Sequence, residues 1–230
     1  MKFFQFSVST FMALGVFIGI LAVFWIAWGY FSILNIEMPK YTVLEQRDGY
    51  EIREYDAYII AETTIDGDFE KGMNSGFMVV ADYIFGNNKK NESISMTSPV
   101  SSDVSESIAM TSPVTSDLLE NIAMTSPVVS GETEGKRTTA FVMPSKYSLE
   151  TLPIPNNDAV KIREIPQRKV AVYSFGGWYR ANSVEQRRQE LLSLLDRDGL
   201  KYGKVSFAGY NPPWTPPFMM RNEIWAELVD

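Results

Sequence analysis

Tyr50-Glu51-Ile52-Arg53-Glu54 and Val160-Lys161-Ile162-Arg163-Glu164 stand 110 residues apart, and the stretches after them keep step. With no gap, Ala61 falls on Ala171 and Gly67 on Gly177. Ile59-Ile60-Ala61 and Val170-Ala171-Val172 are strand-like, and each run is followed by Gly and an aromatic residue. A helix pattern follows in each half. Phe69, Met73, Phe77, Val80, Ala81 and Ile84 recur at three- and four-residue steps, and Gly86 is a stop. In the second half Ser183 with Gln186 reads as a capping box that opens a helix over 183–198, with Leu191, Leu192, Leu194 and Leu195 on its apolar face and Gly199 at its end. Two further strands follow each helix: Ile94–Val100 or a copy of it and Thr138–Met143, then Lys204–Ala208 and Glu223–Val229. The expected fold is α+β: two β-α-β-β units related by a pseudo-twofold, forming a distorted antiparallel barrel or sheet flanked by two helices.

Between the halves a shorter motif is triplicated. Ile94-Ser95-Met96-Thr97-Ser98-Pro99-Val100 returns at 108–114 and at 122–128 as Ile-Ala-Met-Thr-Ser-Pro-Val, a period of 14. Solenoid repeats run from about 20 residues upward, so we read residues 94–135 as a duplicated loop inserted in the domain. Two other readings stay open: a partner-binding element that adds to a sheet edge, and Ser-Pro modification sites.

Of the 230 residues none is cysteine and none histidine. That removes disulfides, thiol nucleophiles, the Ser-His-Asp triad, ordinary zinc sites and histidine-ligated haem. A net charge of −7 without a basic block argues against a nucleic-acid partner. Phe3 to Ile36 carries no charge, and Phe11–Leu34 is almost wholly apolar, long enough to cross a bilayer at about 20 residues. Trp25, Trp28, Tyr30 and Phe31 gather toward its far end like an interfacial belt. The expectation is an uncleaved single-pass anchor in residues 1–40, with the span at 11–34, followed by one domain over 41–230. Lys2 precedes the span and Lys40, Arg47 and Arg53 follow it among acids, which sets no orientation.

Six ordered blocks of the domain resemble the SOUL haem-binding family. They are Tyr83-Ile84-Phe85-Gly86-Asn87-Asn88 with Ile94–Val100; Phe141-Val142-Met143-Pro144-Ser145-Lys146-Tyr147; Leu152-Pro153 with Pro155; Phe175-Gly176-Gly177; Ala208-Gly209-Tyr210-Asn211-Pro212-Pro213; and Arg221-Asn222-Glu223-Ile224-Trp225. The resemblance implies a twofold-repeated sheet-and-helix fold. It also implies reversible, non-covalent binding of haem or a related tetrapyrrole in a shallow apolar cleft, as carrier, buffer or sensor and not as an enzyme. An axial histidine, where the family has one, is missing here. The site expected from this resemblance comprises Phe77, Met78 and Ala81 on the first helix. Tyr210, Trp214, Phe218, Met219 and Arg221 of the Pro-rich loop complete it. Lys201, Lys204 and Arg221 are the cations for propionates.

Bland readings accompany these. Met is more often a gap-filler than an iron ligand, and the aromatic loop reads equally well as a rigid strand connector. Glu223, in an apolar strand, needs a partner if buried; Arg53, Arg163 and Arg221 are candidates. Two other functions use the same fold: a Tyr210/Glu223 cleft for cationic effectors or hydrolysis, and an interaction scaffold with an empty cleft and a protein partner at the repeat loop.

Overall fold

A computed structural model describes residues 8–34, 36–90, 120–133 and 136–229. The chain begins with α1 (Val8–Ile33), then β1 (Tyr41–Arg47), β2 (Tyr50–Tyr55), β3 (Tyr58–Asp66) and α2 (Phe69–Ile84). A two-residue β4 (Asn88–Lys89) precedes β5 (Val128–Thr133) and β6 (Lys136–Val142). The second half runs through β7 (Ile154–Pro155), β8 (Lys161–Ile165), β9 (Arg168–Phe175), α3 (Ala181–Arg197), β10 (Tyr202–Gly209) and β11 (Asn222–Leu228).

Nine strands form one curled antiparallel sheet in the order β1-β2-β9-β11-β10-β5-β6-β3-β8, and β4 pairs with β7 apart from it. The order without β1 reads the same from both ends once the halves are exchanged: β2-β9-β11-β10 answers β8-β3-β6-β5. The twofold lies between β10 and β5. The expected α+β duplication is therefore present, with one addition: each half lends its first strand to the other. Arg53 of β2 pairs in register with Val170 of β9, and Arg163 of β8 with Ile60 of β3.

The two faces of the sheet separate by the strand period of two. Ala61, Phe141, Ala171, Phe207, Ile224 and Ala226 face the helices. Val80, Ala81 and Ile84 of α2 pack on β3 and β6; Val184, Leu191 and Leu195 of α3 pack on β9 to β11. Gly72 and Gly76 let α2 settle onto the sheet. A Cβ at either would lie 2.5 Å from Arg137 or Thr139, and the Thr139 hydroxyl donates to the Gly72 carbonyl at 3.1 Å. The opposite, concave face carries Tyr55, Ile60, Ala140, Val170, Tyr210 and Trp225.

Local signals explain the helix ends. Asp68 caps α2, accepting the Lys71 amide at 2.8 Å, and Gly86 at φ +117° follows its end. Helix α3 starts two residues before the capping box read from sequence. Ser183 is not its N-cap: the hydroxyl reaches back and accepts the Arg180 amide at 2.9 Å, so Arg180 is the cap residue.

The strand after α2 also begins elsewhere than expected, at Val128, the last residue of the third motif copy. That copy is built into the domain. Ile122 is 3% exposed in the α2 core, Thr125 bonds the Val142 carbonyl, and the Ser126 hydroxyl donates to the Tyr210 carbonyl at 2.7 Å. The first two copies lie outside the described residues.

Helix α1 is apolar on every side and exposes its large side chains, among them Phe17, Leu21 and Phe24. Met12–Ser32 is long and apolar enough to cross a membrane.

Candidate functional site

Loop 210–221 joins the two strands nearest the middle of the second half, and the β10–β11 register brings Ala208 opposite Glu223. Tyr210 thus lands above Glu223 although 13 residues separate them, and its hydroxyl donates to Oε2 at 2.6 Å. The Trp225 indole donates to the same oxygen at 2.7 Å. Oε1 receives Arg53 Nη1 at 3.0 Å, Arg221 Nη2 at 2.7 Å and Nε at 3.0 Å, and the Ser174 hydroxyl at 3.3 Å. Glu223 is fully buried and Arg53 is 4% exposed. Burial alone would push the Glu223 carboxyl up; Arg221 and Arg53, helped by the Tyr210 and Trp225 hydrogen bonds, hold it below the ordinary carboxylate value. Burial and the Glu223 charge both push the Tyr210 phenol up, so it stays protonated.

Two of the three candidate partners are therefore real, and Arg163 is not one; it pairs with Glu62 instead. The tyrosine and the carboxylate do meet. A carboxylate already held by two guanidiniums offers nothing further to a cation and cannot take a proton easily, so the cluster reads as structural cross-bracing.

Of the rest of the loop, Thr215, Pro216 and Met220 are buried, while two rings turn outward. Trp214 and Phe218 are 55% and 71% exposed. Met219 is half-buried, and Pro217–Met219 form one short turn. Trp178 joins them, since Gly177 donates to the Pro217 carbonyl at 3.0 Å, and it is 60% exposed. This aromatic surface contains no charge from Pro212 to Met220. It lies against the end of α1: the Trp25 indole donates to the Trp214 carbonyl at 2.8 Å, and Pro216 packs on Gly29, where a Cβ would lie 2.6 Å from its ring. Arg221 spans both neighbourhoods. Its guanidinium lies 4.1 Å from the Tyr210 ring centre and reaches the Met38 sulfur at 3.9 Å.

The α2 residues do not join this surface. Ala81 is buried against β3 and β6, Phe77 packs on Phe141 with ring centres 5.1 Å apart, and Met78 alone points out, 66% exposed. Trp178 is not among the expected site residues, although the aromatic run Phe175-Gly176-Gly177-Trp178-Tyr179 marks it in the sequence.

Three cavities can be compared with a porphyrin. The concave cleft holds about 170 Å³, below the roughly 300 Å³ at which ligand pockets of drug size begin. A groove of about 630 Å³ beneath residues 37–40 sets Glu37, Asp56, Glu150 and Glu164 against Lys40, which repels a dianion. A third, of about 690 Å³, runs between α2 and α3 over Phe207, with Arg137 paired to Glu132 and Arg188 paired to Glu185 on its walls. The Ser130 hydroxyl and Arg137 Nε, both on that groove, are buried without partners. Among the described residues no cluster of His, Cys, Asp or Glu could hold a metal ion.

The sequence of the domain matches the family model described as SOUL heme-binding protein over residues 36–227. The chain belongs to that family. Heme-binding protein 2 of Homo sapiens is 27% identical over 197 residues, covering 83% of this chain and 85% of that protein. Heme-binding protein 1 of Sus scrofa is 26% identical over 200 residues, covering 83% and 92%. The EcmrR C-terminal domain superposes with a TM-score of 0.54 at 9% identity, over 83% of this chain and 98% of that domain, a likeness of fold alone. Membership in the SOUL family supports haem as the ligand at the level of the family, and it is a binding family and not one of enzymes. The residues present fit the group in part: open aromatic rings suit a macrocycle, and Arg221 suits a propionate, but no imidazole or thiolate exists for iron.

Proposed function

We propose that the chain binds haem or a related tetrapyrrole reversibly on the uncharged aromatic surface of loop 210–221, next to a membrane-spanning α1, and acts as a carrier, buffer or sensor. The observation that carries this reading is the contact of that loop with α1 through Trp25–Trp214 and Gly29–Pro216. Trp214, Phe218 and Met219 would meet the apolar ring, and the Arg221 Nη1 edge, which is not engaged by Glu223, would pair with a propionate. The bound group would supply its iron and conjugated ring, and the chain supplies shape, apolar contact and one cation. An open surface buries less of a ligand than a pocket does, so exchange is fast, and lipid beside α1 covers part of the ring.

The groove between α2 and α3 is a second reading, favoured by its size and its two unpartnered polar atoms. A haem titration of the full chain in nonionic detergent, followed at the Soret band, separates the two. Saturation at one haem per chain, weakened about tenfold by Trp214→Ala with Phe218→Ala and untouched by Val184→Trp, supports the loop. At ~0.5–1.5 kcal/mol per aromatic contact, two rings account for that factor. Weakening by Val184→Trp alone moves the ligand to the groove. Spectra identical to haem in detergent refute both.

A further inference from the structure

The concave face of the sheet holds a second, smaller site, independent of the tetrapyrrole reading. Ile60, Val129, Ala140, Val170 and Trp225 make an apolar floor of about 170 Å³, the volume of roughly six waters in the liquid. The same strand period that sends Phe207 and Phe141 to the helices sends charged side chains here. Arg163 and Glu62 form a forked pair at 2.7 and 3.0 Å. Arg168 Nη1 meets Glu227 at 3.1 Å, and its Nη2 donates to the Tyr58 hydroxyl at 2.9 Å. Those pairs cancel.

Lys204 does not cancel. It lines the same cleft and, among the described residues, its ammonium has neither hydrogen bond nor ion pair. Gly131 on the neighbouring strand leaves the space for it: a Cβ there would lie 3.0 Å from Lys204 Cε. Arg168 Nε, also on the cleft, is buried without an acceptor. The cleft thus has one more cation than anions, two under-used donors and an apolar floor. Lys204 is an exposed side chain whose ammonium is partly desolvated. That desolvation lowers its pKa, Arg163 and Arg168 lower it further, and Glu62 and Glu227 act in the opposite sense without forming an ion pair with it, so the ammonium is left free to take an anion.

We infer that the concave cleft binds a small organic carboxylate, of single-ring or short-chain size, with its apolar body on Ala140 and Trp225 and its charge at Lys204. A porphyrin is too large for it, a cation meets the excess positive charge, and an inorganic anion leaves the floor unused.

Titration calorimetry on the full chain in nonionic detergent, with benzoate, benzamide and benzamidinium as probes at one ionic strength, tests this. Benzoate should saturate at one per chain, with the neutral and cationic analogues at least tenfold weaker. Lys204→Met should weaken benzoate at least tenfold, and Lys204→Glu should reverse the order so that benzamidinium binds more tightly. Lys204 is exposed and makes no bond, so both variants should melt with the parent, and Ala140→Phe should close the floor to all probes. No saturable benzoate binding, equal binding of the three probes, or benzoate affinity unchanged in Lys204→Met would each overturn the inference.

Discussion

Replacing Glu223 by Gln keeps the side chain's volume and removes its charge, which isolates what the buried cluster contributes. Donors converge on both carboxylate oxygens: Arg53, Arg221 and Ser174 on one, Tyr210 and Trp225 on the other. Gln has only one acceptor oxygen, so its amide NH2 must face donors whichever way it turns. Turned toward Oε2, it leaves the Trp225 N–H without an acceptor, at ~1–3 kcal/mol for a buried donor. The charge loss adds to this. Breaking a buried pair costs about 3–5 kcal/mol, discounted here because Glu51 still holds Arg53 at 2.7 Å and the Arg221 side chain is 37% exposed. A total of roughly 3–5 kcal/mol is a large part of the 5–15 kcal/mol that folded domains have. At 2–4 °C per kcal/mol for a domain of this size, Tm should fall by about 6–20 °C. Near-UV circular dichroism with heating, and urea unfolding at constant m, measure it. A loss under about 1 kcal/mol would refute the bracing role. A fully stable variant that had lost hydrolytic turnover would instead restore the Tyr210/Glu223 pair as catalytic machinery.

The same carboxylate sets an acid limit. Its folded value lies below the ordinary 4.5, so its stabilisation is fully present above that value and fades as pH falls through the lower folded one. Tm should drop more steeply below about pH 4.5 in the parent than in Glu223→Gln. Ile122→Ala removes a buried side chain and should cost about 2–4 kcal/mol in urea unfolding. Deleting residues 94–107, one whole period, should change stability by no more than ~0.6 kcal/mol, the effect of halving a loop. Gly76→Ala should destabilise by about 1–3 kcal/mol through overpacking on Thr139, although Ala is the better helix former by ~1 kcal/mol; a stabilised variant would mean that α2 is not seated as described. Carbonate extraction of membranes should leave the full chain in the pellet and release a chain lacking residues 1–35; extraction of the full chain would contradict a spanning α1.

Much of this was legible because the signals are local. The stripe from Phe69 to Ile84 and the glycines at 86 and 199 fix two helices, and the paired Ile-Arg-Glu runs expose the duplication. What escaped needs knowledge of partners distant in sequence. Nothing near β2 says that it pairs with β9 across the twofold. Ser183 looks like a cap, and only the Arg180 amide decides otherwise. Three motif copies were equivalent as local patterns, yet the residue three beyond each final Val differs: Asp103, Asp117 and Gly131. A Cβ at 131 would lie 3.0 Å from Lys204 Cε, so glycine there gives the lysine the most room. At the site, the aromatic loop was readable as rings on a stiff connector, but its contact with α1 was not, because a helix apolar on every side has no preferred face.

The absent histidine bears on these observations in a particular way. A SOUL domain without imidazole or thiolate has only Tyr, Met or Lys to offer iron, so in the proposed reading haem is held chiefly by ring contact and a propionate pair. Both lie on loop 210–221, which Glu223 braces from within and α1 meets from outside. Weak, exposed binding would be a poor design in bulk water, where a porphyrin stacks on itself. With α1 in a bilayer, as proposed, the reference state would change: the ligand would already partition into lipid, and the protein would need only to exceed that affinity modestly to collect and release it. The missing ligand residue and the helix contact therefore support one reading, in which exchange between bilayer and loop is the function and tight retention is not.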